Sequence, residues 1–446
     1  MTFDDIAAFT LGPLDVPDSA LAMTATLLID TLGVAAGAAS LDAGRIARDH
    51  AARFHAAGSQ ADTATLLFDG RTTSIVGASF AAATQIDNLD AHDGYNPTKG
   101  HIGCAVVPAL CAFAEGMPDL SARDALTALA MSYEVAARAA IALHATVDDY
   151  HTSGAWNALG VAALGCRLRG HDAETLRHAL GIAEYHGPRS QMMREIANPT
   201  MLHDGSGMGA LVGAMAALMT EDGFEGAPAI TVDAPDVARH WADLGQTWTV
   251  ELNYIKPYPI CRWAHAALGA LDDLMRAHGF GADDVTAIDV RTFAEAAALY
   301  PGMPDTTSQA QYSLPFALAS LLVHGTVGPE QVQGAGLRDA GVAAQLPKIT
   351  VREDARHTQR FPEGRWSDIT VHLTTGHTLT SGDTHAKGGP EVPMAMDEVA
   401  AKFRTMTRSL RPARQTAIWA MRDRLLSGDA LFAELLSLIH NSKDNP

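Results

Sequence analysis

Long alanine- and leucine-rich runs, broken by short polar loops, dominate the first two thirds of the chain. Leu21, Leu27, Leu28, Leu32 and Val34 recur at helical spacing, which predicts a helix over residues 20–36. The same pattern predicts helices over 41–57, 74–83, 105–114, 121–143, 155–168 and 210–219. Ser121, and the run Thr152, Ser153 and Gly154, stand where N-caps are needed, because a hydroxyl there can accept from a free amide of the first turn. After about residue 279 the hydrophobic period changes. β-Branched residues alternate over 284–293, 348–352 and 368–374, and Thr375, Gly376 and His377 read as a hairpin turn. A helix over 313–324 separates the first two of these strands. Helical spacing returns over 396–403, 412–426 and 430–440, with Pro412 suited to a first helical position. The fold class expected is mainly α: a large all-α domain over 1–268, a smaller α+β lid domain over 269–395, and a tail, 396–446, packing back on the helical domain.

One stretch interrupts this pattern most sharply. Residues 87–115 read DNLDAHDGYNPTKGHIGCAVVPALCAFAE, with Asp87, Asp90, His92, Asp93, Lys99 and His101 crowded ahead of an almost wholly apolar helix. Gly94, Pro97, Gly100 and Gly103 exclude a helix between 94 and 103. Titratable groups at the edge of a core have their pKa values set by burial and neighbours, so an acid–base site is one reading. A solvated loop that caps the helix is the other. Three further polar breaks carry candidates. Tyr150 and His151 precede the helix at 155–168, whose positive end favours an anion; a histidine that only packs is the plain alternative. The break at 185–209 holds Arg189, Arg194, His203 and Asp204, where arginine forks fit carboxylates or surface partners equally. Lys256, Tyr258, Arg262 and His265 lie within ten residues, around two prolines that forbid a regular helix before Ile260.

Composition narrows the partners. The 446 residues carry a net charge of −19, which argues against nucleic acid and anionic membranes. Clustered basic residues therefore point to an acidic small molecule. Hydrophobic residues make up 47% of the chain, enough for a large core. Cys104, Cys111, Cys166 and Cys261 form no CxxC and read as buried, reduced thiols of a cytoplasmic protein. The first residues lack a signal-peptide pattern, and no run of eighteen apolar residues predicts a membrane span. GxGxxG, GxxxxGK[ST], HExxH and GxSxG are absent. Asp90, His92, Asp93 and His101 could ligate zinc as in a hydrolase, but no second half-site follows, so no metal is expected. A non-catalytic helical binding protein is a further alternative.

The chain resembles the MmgE/PrpD superfamily, which includes 2-methylcitrate dehydratase, cis-aconitate decarboxylase and iminodisuccinate epimerase. The resemblance runs nearly end to end through IDTLGVAAGA (29–38), the Asp-rich stretch with His101 and VVPALCAFAE (106–115), YHTSGAWNALGVAA (150–163), LHDGSGMGALVG (202–213), KPYPICRWAH (256–265), QYSLPFALASLLVHG (311–325) and KGGPEVPM (387–394). It implies the large helical domain with its α+β lid, a homodimer, no metal or organic cofactor, and a site in the cleft between domains. It implies catalytic roles for Asp90, His101 and His151, to which the residues add Lys99 and Tyr150. His203, Lys256, Arg262, His265 and Lys387 are the candidate holders of a di- or tricarboxylate substrate. Thr200 and Phe316 stand where lyase members carry Lys and Tyr, and the loop reads Lys99, Gly100, His101, Ile102, Gly103 in place of His-Pro-x-Gly. These departures resemble the iminodisuccinate epimerase branch, with a lyase such as 2-methylcitrate dehydratase or a cis-aconitate decarboxylase-like enzyme as the alternative.

Overall fold

In the computed structural model, which describes residues 1–440, helices fill the first half of the chain. They are α1 (Phe3–Leu11), α2 (Asp18–Ala38), α3 (Asp42–Phe54), α4 (Ile75–Asp87), α5 (Gly103–Ala114), α6 (Ala122–Thr146), α7 (Gly154–Arg169), α8 (Ala173–His186), α9 (Met192–Ala197) and α10 (Ser206–Met219). A short antiparallel hairpin, β1 (Thr63–Thr65) with β2 (Thr72–Ser74), precedes α4. Small residues let these helices pack closely. A Cβ on Gly213 of α10 would sit 2.4 Å from the Ala158 carbonyl of α7, so only glycine permits that approach. Every residue of α5 is buried, Pro108 included.

Helices α1, α8 and α9 escaped the hydrophobic pattern, α9 lying inside the stretch read as a polar break. Helix α1 is short and starts at a capping box between Thr2 and Asp5. Helix α8 opens on Asp172, whose carboxylate accepts from the Thr175 amide at 2.9 Å. Ser121 caps α6 as expected, at 3.0 Å from the Asp124 amide. Ser153 does not cap α7; its hydroxyl is committed elsewhere. Contrary to the expectation of no membrane-length segment, α2 and α6 are long and apolar enough to cross a bilayer. Their apolar windows are 89% and 94% buried inside the protein, which accounts for that composition as core.

The C-terminal region carries a five-stranded sheet. Its elements are α11 (His265–His278), β3 (Val285–Thr292), α12 (Leu314–His324), β4 (Ile349–Glu353), β5 (Trp366–Leu373), β6 (Thr378–Thr380) and β7 (Thr384–His385). The order is β4-β3-β5-β6, with β7 also on β5; β3 and β4 are parallel and the other pairs antiparallel. Ile288 and Val290 on β3 and Ile369 and Val371 on β5 are buried, as period-two spacing requires. The chain ends in α13 (Met396–Met406), α14 (Pro412–Ser427) and α15 (Phe432–Ile439). Lys402 of α13 reaches Asp30 of α2 at 2.6 Å, and Arg422 of α14 donates to the Thr26 hydroxyl of α2 at 2.9 Å. Residues 441–446 of the expected tail lie outside the described residues.

Candidate active site

The Asp-rich stretch is no solvated loop. Asp87, Asp90, His92, Asp93, Asn96, Thr98 and His101 are all buried, and α5 follows into the core. Burying so many polar groups is costly; the surrounding elements partner several of them, while both ring nitrogens of His92 are buried with no hydrogen-bond partner. Lys256 pairs with the Asp90 carboxylate and donates to its carbonyl at 3.0 Å. Lys402 donates to the Ala91 carbonyl at 2.7 Å while holding Asp30. Gly94 and Tyr254 exchange main-chain hydrogen bonds of 3.1 and 2.7 Å. Asp87 accepts from the Ser206 amide at 3.0 Å, at the positive end of α10.

Backbone strain gathers here. Four non-glycine residues among those described have left-handed φ angles: Phe68, Asp90, Lys99 and His203, at 56°, 54°, 54° and 46°. The last three lie in the site segments. Such conformations cost on the order of 1–3 kcal/mol each and cluster where function fixes side-chain direction.

A cavity of about 20 Å³ opens where these segments meet. Asp90, Lys99, His101, Tyr150, Asp204, Tyr254, Cys261, Arg262, Tyr312 and Arg365 line it, with Met192, Ile196 and Trp263 as its apolar wall. His101 is 8% exposed. Its Nδ1 lies 2.7 Å from the Asp93 carbonyl, so Nδ1 carries the proton and Nε2 is left as the basic atom. Burial pushes its pKa well below the usual histidine range, and Lys256, Arg262 and Arg365 add to the shift. His101 is therefore a neutral base at neutral pH. Asp90 Oδ2 has no hydrogen-bond partner, and burial raises this carboxyl to about 6 against the pull of Lys256. Ser153 joins two walls. Its hydroxyl donates to Asp204 Oδ1 at 2.6 Å and accepts from the His101 amide at 3.0 Å. Asp204 Oδ2 stands 3.9 Å from His101 Nε2.

The opposite character belongs to Lys99, Arg262 and Arg365. Among the described residues no carboxylate lies within ion-pair distance of any of them. Arg262 donates to the main-chain oxygens of Lys387 and Ala386 at 2.5 and 3.0 Å and stacks 4.1 Å from the Tyr254 ring. Arg365 donates to the Pro362 carbonyl and stacks 4.7 Å from the Phe361 ring. The Nε of each arginine is buried without a partner. Burial lowers the pKa of Arg262 to about 10, with Arg365 adding to the shift, and burial lowers Arg365. Burial and Arg365 lower Lys99 as well. Tyr150 donates to the Lys99 carbonyl, and the Lys99 ammonium lies 5.0 Å from its ring. Burial raises the Tyr150 phenol and the Cys261 thiol, the latter to about 12, so both keep their protons.

Of the sequence-predicted residues, Asp90, Lys99, His101, Tyr150 and Arg262 meet at this cavity. Lys256 stands behind it as the partner of Asp90. His203 is buried beside it, 5.4 Å from the Tyr312 ring and 3.4 Å from the Ser308 hydroxyl. His151 is outside, parallel to His144 at 6.5 Å. His265 and the Lys387 side chain face another cleft, of about 610 Å³, where Lys387 pairs with Glu398. Tyr254, Tyr312 and Arg365 were not singled out from sequence, and Asp204 and Cys261 were noted there without a role in the site. Asp204 and Tyr254 flank predicted residues. Arg365 follows a proline-containing turn with no other cation beside it, and nothing in the sequence marks it.

Asp90, His92 and His101 place possible metal-ligand atoms within 4.8 Å of one another, as do Asp87, His92 and Cys104. Asp93 turns away to Gly103 and Thr31. The ammonium of Lys256 already holds Asp90, and Lys256 and Lys402 both depress His92. A dication at either cluster would face those charges, so the donor set fits a metal poorly.

The family model described as MmgE/PrpD N-terminal domain matches residues 6–242, and that described as MmgE/PrpD C-terminal domain matches residues 258–425. No curated protein matches the chain.

Proposed function

We propose, for a chain that belongs to the MmgE/PrpD family, an enzyme that removes a proton from a carbon next to a carboxylate of a small polycarboxylate, most specifically an epimerase of an iminodisuccinate-type substrate. The family is one of lyases and isomerases. The observation that carries the reading is the trio Lys99, Arg262 and Arg365: three cations at one cavity of an acidic protein, none with a carboxylate partner. Buried cations without counter-charges are costly, and an anionic substrate supplies the charges they lack.

Carbon acids next to carboxylates are weak, so the reaction needs a placed base and cations for the enolate-like state. His101 Nε2 takes the proton and the arginines hold the developing charge. Lys99, its pKa lowered, returns a proton to the carbon, with Tyr150 fixing its main chain. Asp90 holds Lys256 and turns its free oxygen to the reacting face. A cavity of about 20 Å³ has room for about one water, so the site widens when the substrate binds. The homodimer that the family resemblance implies belongs to this proposal and is checked by light scattering.

A lyase is the second reading, favoured by Tyr312, whose buried phenol could protonate a leaving hydroxyl. Chiral chromatography of single stereoisomers of iminodisuccinate separates the two. Interconversion of stereoisomers supports the epimerase. Formation of an alkene from a hydroxy-tricarboxylate, with iminodisuccinate untouched, makes the enzyme a lyase.

A further inference from the structure

The cleft that takes the side chains of His265 and Lys387 has a volume of about 610 Å³, a size usual for small-molecule sites. Pro257, Tyr258, Val327, Trp366, Val392 and Met394 give it apolar and aromatic walls. Its charged side chains are nearly all paired already. Arg276 holds Asp272 at 2.6 Å, Lys387 holds Glu398, Lys402 holds Asp30, and Asp383 is held by Arg356 and Arg360. Of the charged residues in the lining, only Asp273, which is exposed, has no ion pair among the described residues. Burial keeps the two imidazoles of the lining, His265 and His385, below the usual histidine range, so they add no charge. His265 Nε2 donates to the Ile260 carbonyl at 2.8 Å. Its Nδ1 is therefore an acceptor, and it is buried without a partner. A charged ligand would have to break an existing ion pair. An uncharged aromatic one meets the Tyr258 and Trp366 rings and offers His265 a donor.

We propose that this cleft is a second binding site, for an uncharged aromatic heterocycle with an N–H or O–H donor, and that its occupancy is felt at the catalytic cavity through residues 385–387. The connection is short. Trp366 follows the cavity residue Arg365 in the chain. The His385 ring packs edge-on against Trp366 at 4.8 Å, and its Nε2 accepts from the Arg365 amide at 3.3 Å. The Ala386 amide donates to the Arg365 carbonyl at 2.9 Å. The carbonyls of Ala386 and Lys387 accept from Arg262 at 3.0 and 2.5 Å. One strap thus gives its side chains to the cleft and its main chain to both buried arginines. A ligand against Trp366 and His385 restrains the backbone that holds those arginines, which couples the two sites.

The test uses two pairs of compounds that differ in charge: nicotinamide with nicotinate, and adenosine with AMP. Titration calorimetry of the full chain at neutral pH is expected to show the uncharged member of at least one pair binding with a Kd of about 1 mM or tighter, about 10-fold or more tighter than its anion. Ala401 is exposed on α13, lines this cleft and is absent from the lining of the catalytic cavity. Ala401→Trp fills the cleft and is expected to weaken that binding about 10-fold or more, with the melting temperature unchanged. Backbone hydrogen exchange over 364–366 and 384–388 is expected to slow about threefold or more when the compound binds the wild type, and not in the variant. Binding of neither uncharged compound overturns the site. Anions that bind as tightly overturn the ligand class, and binding that survives in folded Ala401→Trp overturns the location. Binding without any change in exchange overturns the link to the arginines. None of these readouts uses turnover, so they decide the inference whether or not the epimerase reading holds.

Discussion

His101 Nδ1 lies 2.7 Å from the main-chain oxygen of Asp93. This contact fixes the ring tautomer by means of the loop's own backbone, so no carboxylate is spent on it. Nε2 is then basic and faces Asp204 and the cavity. Burial, with the cations Lys256, Arg262 and Arg365 adding to it, keeps the ring unprotonated. The loop thus both supplies the base and orients it, while residues from distant segments set its charge.

Arg365 is the one cavity cation contributed by the sheet-bearing region. Replacing it by Gln removes a charge but keeps hydrogen-bonding capacity toward Pro362. We expect kcat/KM to fall about 10- to 100-fold, the worth of a hydrogen bond to a charged group, with the melting temperature nearly unchanged. Steady-state kinetics and a thermal melt on the same preparation check this. Unchanged kinetics would remove Arg365 from the site.

The pH profile should carry Asp90. Its carboxyl is raised to about 6 by burial, so it is ionised above that value and protonated below. His101, lying well below its usual range, stays basic throughout this window. The expected result is that kcat/KM falls as pH drops through about 6, and that Asp90→Asn loses this limb along with most activity.

Stability should record His203. Its pKa is lowered from 6.5 to about 4 by burial, so the unfolded chain takes up the proton first as pH falls. The stabilising contribution of keeping it neutral is complete above 6.5 and is lost as pH falls through about 4. That contribution is on the order of 3 kcal/mol. Urea unfolding of wild type and His203→Gln at several pH values should therefore show the gap between them changing between about pH 6.5 and 4. A gap independent of pH would refute the assignment.

Gly388 sits at φ 111°, and a Cβ there would lie 1.9 Å from the Ile255 carbonyl. Its carbonyl accepts from the Ile255 amide at 3.0 Å, next to the Lys387 carbonyl that Arg262 holds. Gly388→Ala must break this close pairing. A loss of on the order of 2–3 kcal/mol in stability, together with lost activity, is expected from denaturant unfolding and turnover. Wild-type stability in this variant would show that the segment has freedom the structure does not suggest.

The sequence made some of this site visible and hid the rest for physical reasons. The crowding of Asp90, Lys99 and His101 in one loop was legible because glycines and a proline forbid a helix there. Tyr150 and Arg262 were legible as polar breaks between apolar helices. What stayed hidden depends on docking. Arg365 reaches the cavity beside Phe361, which packs edge-on against Trp263 just ahead of α11. Ser153 reads locally as an N-cap, yet its hydroxyl bonds to Asp204, 51 residues on. Tyr312 comes into the lining through Gln311, whose main chain and side chain bond to Cys261 and Asn88. Helix α1 was missed because nine residues give too little hydrophobic period, and Lys387 was misleading because its backbone, not its ammonium, meets the site residue Arg262.

Proton NMR in D₂O, with iminodisuccinate, 2-methylcitrate, citrate and cis-aconitate offered to wild type and to His101→Gln, tests the central claim most directly. The account predicts that the wild type replaces a hydrogen next to a carboxylate of iminodisuccinate by deuterium without forming an alkene. It predicts that the variant, still folded, does so about 10²- to 10⁴-fold more slowly. Exchange that survives unchanged in His101→Gln, or no exchange in any of the four compounds, would contradict it.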